Sequence, residues 1–184
     1  SKDGSKVGDV PFAHGAEILD VTGSSAVKIF PDRLAGMNLT RDMVTYYSCN
    51  GSGEIERMIL DDATGDAGRY GILIRMETMG EGMNKLYSYE YDLNGSSYSL
   101  PAITTKFPVS TGGIRVVGDP ADPDRLYSLT KVEDGSLTGG RLKAGSRSYQ
   151  IAQQVVVYEY RDRQYFPSTL DRVQDLGLTL TGWY

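Results

Sequence analysis

Few residues in this chain have the chemistry of a catalytic nucleophile or base. His14 is the single histidine and Cys49 the single cysteine among 184 residues. Nucleophilic catalysis needs a base that a third group positions, and His14 lies in the stretch Phe12-Ala13-His14-Gly15, with no Gly-x-Ser-x-Gly motif in the chain. The sequence predicts a surface or turn histidine and an unreactive, buried or half-buried cysteine. We therefore predict no catalytic residue and no enzyme activity.

Metal and cofactor sites are also not predicted. One histidine and one cysteine cannot supply the tetrahedral N/S ligands of zinc. Calcium takes oxygen ligands, and two loops are rich in aspartate, but neither has EF-hand spacing, so solvated turns are preferred and calcium binding is the alternative. The glycine-rich residues 139–147 lack Gly-Lys-Ser/Thr and predict a basic hairpin turn rather than a phosphate loop. The aspartates of the two loops are Asp61, Asp62 and Asp66, and Asp119, Asp122 and Asp124.

Tyrosines alternate along two segments predicted to be strands. Such rings form either an aromatic platform for sugars or a cover over a neighbouring strand, and the second interpretation is preferred. A glycosidase would need two paired carboxylates, which 24 acidic residues do not single out. The tyrosines are Tyr87, Tyr89 and Tyr91, and Tyr158, Tyr160 and Tyr165.

Charge and composition exclude several partners. The net charge of −5 gives no positive field for phosphate backbones, so direct nucleic-acid binding is not expected. No run approaches the roughly 20 apolar residues of a membrane span, and no signal peptide opens the chain. A single cysteine excludes an internal disulfide. Asn38, Asn50 and Asn94 lie in glycosylation sequons, of which the last two also read as Asn-Gly-Ser turns.

The elements that must position these residues are mostly short strands. The 22 glycines and 13 tyrosines favour strands joined by tight turns. Residues 17–21 and 26–30 alternate like strands. Residues 32–47 instead carry apolar residues at helical spacing, with Asn38 placed to cap, so a helix is predicted there.

Two hairpins are predicted next. Residues 54–60 and 69–78 flank a loop of turn formers, and residues 85–93 and 97–103 meet across Asn94-Gly95, a strong hairpin signal. Pro101 places the second strand of the later hairpin at a sheet edge, because proline cannot donate to a ladder.

The C-terminal third is predicted to contain more strands and one helix. Residues 114–117 and 126–132 read as strands. Residues 149–160, with three consecutive valines, predict a central strand buried on both faces. A short helix is expected between a capping pair, Ser168 and Asp171, and Gly177, before a last strand over residues 178–184.

Together these elements predict a mainly β chain, an antiparallel β-sandwich or partly closed barrel with about eight to ten strands and two short helices. No repeat or linker divides the chain, so residues 1–184 are predicted as a single β domain. Residues 1–9 are predicted as an extended N-terminal arm.

The arm suggests a function. Polar, glycine-containing termini fray on isolated monomers, whereas arms that order against neighbours knit symmetric assemblies together. The sequence favours a structural subunit that self-assembles, of the virion or phage tail and shell type. It would be located in a virion or other extracellular assembly and cytoplasmic during synthesis. The alternative is an extracellular carbohydrate- or surface-binding β module, assisted by calcium.

Overall fold

The computed structural model describes residue 1 and residues 3–138, 141–151, 155–176 and 180–183. This part of the chain is mainly β, as predicted, with sixteen strands in four sheets, which is more than the eight to ten expected. It contains two compact units. Unit 1 is Ser1–Arg69 with Val117–Asp119, and unit 2 is Tyr70–Val116 with Pro120–Tyr184. The sandwich or barrel arrangement and the single domain over 1–184 stay predictions.

Unit 1 is built on a five-stranded sheet. Its strands follow the order β1-β2-β5-β4, and β3 pairs with β2. β2 and β5 run parallel, whereas the other pairs are antiparallel. The strands are β1 (Lys6–Val7), β2 (Val10–Thr22), β3 (Ser25–Ile29), β4 (Val44–Cys49) and β5 (Ile55–Asp61).

The core of unit 1 lies against one face of this sheet. Because successive side chains of a strand point to opposite faces, β2 buries Ala16 and Ile18 while Glu17 and Leu19 between and after them stay exposed. The buried cluster is Ile18, Ile29, Leu34, Ile55, Met58 and Leu60.

The predicted helix over residues 32–47 is wrong. The structure has two 3₁₀ turns, Pro31–Leu34 and Arg41–Met43, and then enters β4. The apolar spacing of this segment resembled a helix, but Val44-Thr45-Tyr46-Tyr47 is a β-branched and aromatic run that suits a strand. Pairing of β4 with β5 decides the outcome.

The N-terminal segment folds back on unit 1. The Phe12 N–H donates to the Ser5 carbonyl at 3.0 Å, and the Gly36 N–H donates to the Ser1 carbonyl at 2.9 Å. Gly4, at φ +73°, lies so close to the chain that a Cβ there would be 2.3 Å from the Pro31 carbonyl oxygen. The described residues of segment 1–9 therefore make contacts within their own unit.

Unit 2 contains three sheets and one α-helix within its described residues. The largest sheet has the strand order β10-β9-β6-β7-β8, the second β13-β12-β11-β16, and the third pairs β14 with β15. The helix α1 covers Leu170–Leu176. The strands are β6 (Arg69–Met79), β7 (Leu86–Leu93), β8 (Ser96–Ile103), β9 (Gly112–Asp119), β10 (Asp122–Ser128), β11 (Lys131–Thr138), β12 (Arg141–Ala144), β13 (Arg147–Gln150), β14 (Val157–Arg161), β15 (Gln164–Ser168) and β16 (Leu180–Trp183).

The large sheet tests the two predicted hairpins. The β7–β8 hairpin across Asn94-Gly95 is confirmed, and Pro101 does lie on an edge strand, since β8 ends the sheet. The other hairpin is wrong, because β5 and β6 belong to different sheets. Turn formers between two β-rich runs show that the chain turns, but they do not choose the partner strand.

The buried cluster of unit 2 lies on one face of the large sheet. Leu73, Tyr89, Tyr91, Ile114 and Val116 are fully buried there. The hairpin turn predicted within residues 139–147 is found at Gly145 and Ser146, where β12 pairs with β13, while Gly139 and Gly140 lie outside the described residues.

The predicted central strand over residues 149–160 is wrong. Its last part is β14 in a two-stranded hairpin, and Val155 is 37% exposed. Residues 152–154 lie outside the described part. A continuous apolar run does not by itself establish a strand that is buried on both faces, and here the chain turns back at Asp162 and Arg163 to pair β14 with β15.

The C-terminal helix is confirmed, with a different contact at its start. The Ser168 hydroxyl donates to the Glu159 carboxylate at 3.0 Å, and Val173 is buried. The predicted last strand appears as β16, and Gly177 is not among the described residues. Within the described chain, no helix has the length and apolarity that crossing a membrane would require.

Candidate functional site

The single histidine and the single cysteine occupy exposed positions on strands of unit 1. His14 is exposed on β2, in agreement with a surface histidine. Cys49 is exposed at the end of β4, so its predicted burial is wrong. β4 is an edge strand of its sheet, which a strand-forming pattern cannot show.

The first acidic loop is bonded to the rest of unit 1 through two carboxylates, one in the loop and one on β2. Asp66 forms a bidentate ion pair with Arg33, with Nε–Oδ2 at 2.7 Å and Nη2–Oδ1 at 2.9 Å. A carboxylate that sequence reasoning missed, the fully buried Asp20 on β2, accepts the N–H groups of Ala63 and Thr64 at 2.9 and 2.7 Å. Protein groups therefore organise this loop through Asp20 and Asp66.

The remaining ligand-rich segments are turns. Asp119 and Asp122 flank the two-residue turn between β9 and β10. Across residues 1, 3–138, 141–151, 155–176 and 180–183, no group of three or more His, Cys, Asp or Glu side chains is placed to hold a metal ion. The Asn50 side chain accepts from Ser52 N–H and donates to Glu54, so this sequon is engaged in its own turn. Asn38 and Asn94 lie outside regular strands.

The first tyrosine segment belongs to the core. Tyr89 and Tyr91 are fully buried, and Tyr87 packs against the same cluster. The Tyr89 hydroxyl accepts the Phe107 N–H at 2.9 Å, and burial raises the pKa of Tyr89. These rings cover neighbouring strands, and they are not a sugar platform.

Tyr158 holds the turn of the β7–β8 hairpin. Its hydroxyl lies 2.8 Å from Asp92 Oδ1 and accepts the Asn94 N–H at 2.7 Å. Asn94 and Gly95 have φ of 54° and 91°, the left-handed pair that a tight hairpin needs. Burial, followed by the bond to Asp92, raises the pKa of Tyr158. This tyrosine is structural.

Tyr160 and Tyr165 line a cleft in unit 2 of about 490 Å³. Their ring centroids are 4.8 Å apart, and Tyr160 is 63% exposed. Leu73 and Ile74 of β6 and Arg163 of the β14–β15 turn also line it. We call it the tyrosine cleft. It combines aromatic and aliphatic surface with one guanidinium group.

A second feature of unit 2 is an exposed ribbon. Every residue from 74 to 85 is exposed, and β6 pairs with β7 up to Met79 and Leu86. Met76 and Met79 are 36% and 41% exposed, and Met83 in the connecting loop is fully exposed. We call residues 74–85 the methionine ribbon. Three of the six methionines fall within it, which is the signal that sequence reasoning overlooked.

The ribbon is held in shape by ion pairs on one face. Arg75 Nε donates to Glu90 Oε2 at 3.1 Å across the strands, and Arg75 Nη1 donates to Glu77 at 3.1 Å. The bond with Glu90 is the main cause that raises the pKa of Arg75 and lowers that of Glu90. The exposed methionines are therefore carried on an ordered hairpin.

Unit 1 has a smaller apolar surface on the outer face of its sheet. Leu19 and Tyr46 are 40% and 50% exposed and line a groove of about 220 Å³. Glu17 and Arg57 lie 3.6 Å apart at the same groove. This groove is lined by one aromatic residue, Tyr46, whereas the tyrosine cleft is lined by two. Its charged residues Glu17 and Arg57 already pair with each other.

Comparison of the chain with protein-family models, with curated proteins and with solved structures gave no significant match.

Proposed function

We propose that the chain is a non-enzymatic structural subunit that assembles with copies of itself, of the virion or phage tail and shell type. The observation that carries the proposal is the methionine ribbon, exposed from residue 74 to residue 85 with a fully exposed Met83 at its loop. Apolar groups gathered on an exposed element mark an interaction surface more often than single exposed residues do. Methionine suits such surfaces because its side chain adapts to the partner.

Burial of the exposed methionines favours association. Met83 is fully exposed and Met79 is 41% exposed. Full burial of an exposed methionine side chain contributes about 1.5–3 kcal/mol, so burying both offers roughly 2–4 kcal/mol. The paired part of the ribbon, up to Met79, loses little conformational freedom on binding, because the Arg75–Glu90 pair and the ladder with β7 already order it.

One of the two edges of the large sheet is unsuited to strand addition as a mode of assembly. β8 forms that edge and contains Pro101, which has no N–H to donate. Side-chain contact through the ribbon is the better-supported route.

The test is light scattering coupled to size-exclusion chromatography over protein concentrations from about 1 to about 100 µM, where mass action reveals self-association. We expect the apparent mass to rise with concentration. A Met79→Ser/Met83→Ser variant should remain smaller at each concentration. Phe30→Ser, which removes an apolar side chain that is 65% exposed in unit 1, is the matched control and should behave as the parent. A chain that stays monomeric throughout contradicts the proposal.

The tyrosine cleft favours a second function, a carbohydrate-binding module located outside the cell. Aromatic rings beside a guanidinium group suit a sugar that carries a carboxylate. Titration calorimetry with oligogalacturonate tests this, and loss of binding in Tyr160→Ala is expected. No heat of binding at millimolar saccharide would eliminate the module.

A further inference from the structure

The guanidinium of Arg163 has no hydrogen-bond or ion-pair partner within the part of the chain that the structure describes, although it lines the tyrosine cleft. It also sits in an unusual backbone conformation. Asp162 and Arg163 have φ of 51° and 62°, a pair of left-handed residues that glycine or asparagine would adopt at lower cost. The turn therefore displays a charged side chain at the cleft where a glycine would have served the hairpin better.

The tip of the methionine ribbon has the complementary properties. Glu81 lies in the loop between Met79 and Met83 and is exposed. In the described residues its carboxylate has no partner, since only its backbone carbonyl accepts a bond, from Asn84 N–H at 3.2 Å. The tip thus presents two methionines and one free carboxylate, whereas the cleft presents two tyrosines and one free guanidinium.

The sizes agree. A cavity of about 150 Å³ holds a benzene ring, so a cleft of about 490 Å³ has room for more than one side chain. Methionine sulfur also makes favourable contacts with aromatic rings, of about 0.3–1.5 kcal/mol each. The cleft offers Tyr160 and Tyr165 for such contacts.

The ribbon tip does not reach the cleft of its own chain. Ile74 lines the cleft, and Met79 is five residues farther along the paired β6 strand, roughly 17 Å away at the rise of a strand. Glu81 and Met83 lie beyond Met79. The two complementary surfaces are therefore at separate places on one chain, which is the arrangement of a head-to-tail contact.

We propose that the tyrosine cleft receives the ribbon tip of a second copy, with Glu81 of that copy pairing with Arg163 and Met79 or Met83 packing on the tyrosines. This inference rests on the self-assembly proposed above and names its interface. The contact is heterologous, so each copy offers one tip and one cleft, and repeated use of the contact gives rings or filaments rather than a closed dimer.

Charge reversal tests the pairing. Glu81→Arg and Arg163→Glu place like charges at the contact, and each should weaken self-association by about tenfold or more in sedimentation velocity. The double variant Glu81→Arg/Arg163→Glu restores opposite charges and should recover association. An equimolar mixture of the two single variants should also recover association, because every tip then finds a cleft of opposite charge on the other variant.

Lys28→Glu is the control, a charge reversal at the groove of unit 1, and should associate as the parent does. Circular dichroism confirms that each variant is folded, and Arg163→Gln gives a milder change if the reversal unfolds the turn. Assembly of the parent with no effect of either single reversal would overturn the interface while leaving self-assembly intact. Loss of assembly in Lys28→Glu alone would move the interface to unit 1.

Two further results would also overturn the interface. One is failure of both the double variant and the mixture to recover association. The other is binding of oligogalacturonate that Arg163→Glu abolishes while assembly is unchanged, since this would assign the cleft to an acidic saccharide. A monomeric parent chain would instead overturn the proposed function itself.

Discussion

The two ends of strand β7 differ although they belong to one strand. At the Leu93 end, the turn to β8 is bonded to Tyr158 and the strand buries Tyr91. At the Leu86 end, the strand pairs with Met79 and leads into a ribbon with exposed side chains. The contrast shows that regular pairing is present at both ends, while packing is concentrated at one. The packed end contributes to stability, and the exposed end is available for contacts outside the chain.

Replacing Tyr91 by alanine is expected to have the largest effect. The side chain is fully buried, and its hydroxyl donates to the Pro120 carbonyl. Loss of a buried aromatic side chain lowers the free energy of unfolding by about 3–5 kcal/mol. Urea denaturation measures this. Met79→Ala at the other end should change it by less than about 0.5 kcal/mol, and equal losses would show that the ribbon is packed like the core.

Gly71→Ala should have the next largest effect. A Cβ at Gly71 would lie 2.0 Å from the Asp92 carbonyl oxygen, which is backbone and cannot rotate away. Overpacking of this kind costs about 1–3 kcal/mol. Gly51→Ala, where no atom lies within 4 Å, is the control and should leave the urea midpoint nearly unchanged. A neutral Gly71→Ala would mean that the packed end of β7 is looser than its contacts indicate.

Tyr158→Phe removes only the hydroxyl that holds the Asn94 turn. We expect a loss of about 1 kcal/mol in the free energy of unfolding, the usual contribution of one hydrogen bond. Tyr160→Phe is the matched control, because that ring is mostly exposed on the same strand. Slower hydrogen exchange at Asn94 in Tyr158→Phe than in the parent would contradict the proposed clamp.

The pH dependence follows from the same hydroxyl. Burial raises the pKa of Tyr158 in the folded chain, so folding favours its neutral form. Its contribution is fully present below the unfolded tyrosine pKa of about 10 and is lost as pH rises beyond that value toward the folded pKa. Urea midpoints at about pH 9 and about pH 11 should therefore fall less in Tyr158→Phe than in the parent. Tyr89 and Tyr165, whose pKa values are also raised by burial, contribute to the slope that remains.

Features that depend on the conformation of a few neighbouring residues could be predicted from the sequence. Features that depend on pairing between distant strands could not. Asn94-Gly95 fixes a hairpin through the conformation of two residues, and Pro101 marks an edge by its missing N–H. By contrast, β5 pairs with β2, which lies more than 30 residues earlier in the chain, and no local pattern in β5 indicates this partner. Residues 44–47 form a strand rather than the predicted helix because they pair with β5.

The candidate site was harder to foresee than the fold. The alternation of Tyr87, Tyr89 and Tyr91 correctly indicated packing, because one face of the pattern matches one face of a sheet. Exposure of the methionine ribbon depends on how much of β6 and β7 other elements cover, which periodicity does not encode. No sequence pattern singled out Arg163, because its place at the cleft depends on a left-handed backbone conformation and on the packing around the cleft.

The parallel pairing of β2 with β5 has a kinetic consequence. The two strands are joined through β3, two 3₁₀ turns and β4, and the Asp20 carboxylate on β2 meets the Ala63 and Thr64 N–H groups just after β5. A long loop must therefore close before this sheet is complete, whereas two residues close the β7–β8 hairpin. Because non-local pairing slows folding, amides of β7 and β8 should gain protection in pulsed hydrogen exchange before the Ala63 and Thr64 amides that bond to Asp20. The hydrogen bonds of Asp20 to Ala63 and Thr64 would then form late in folding and complete unit 1.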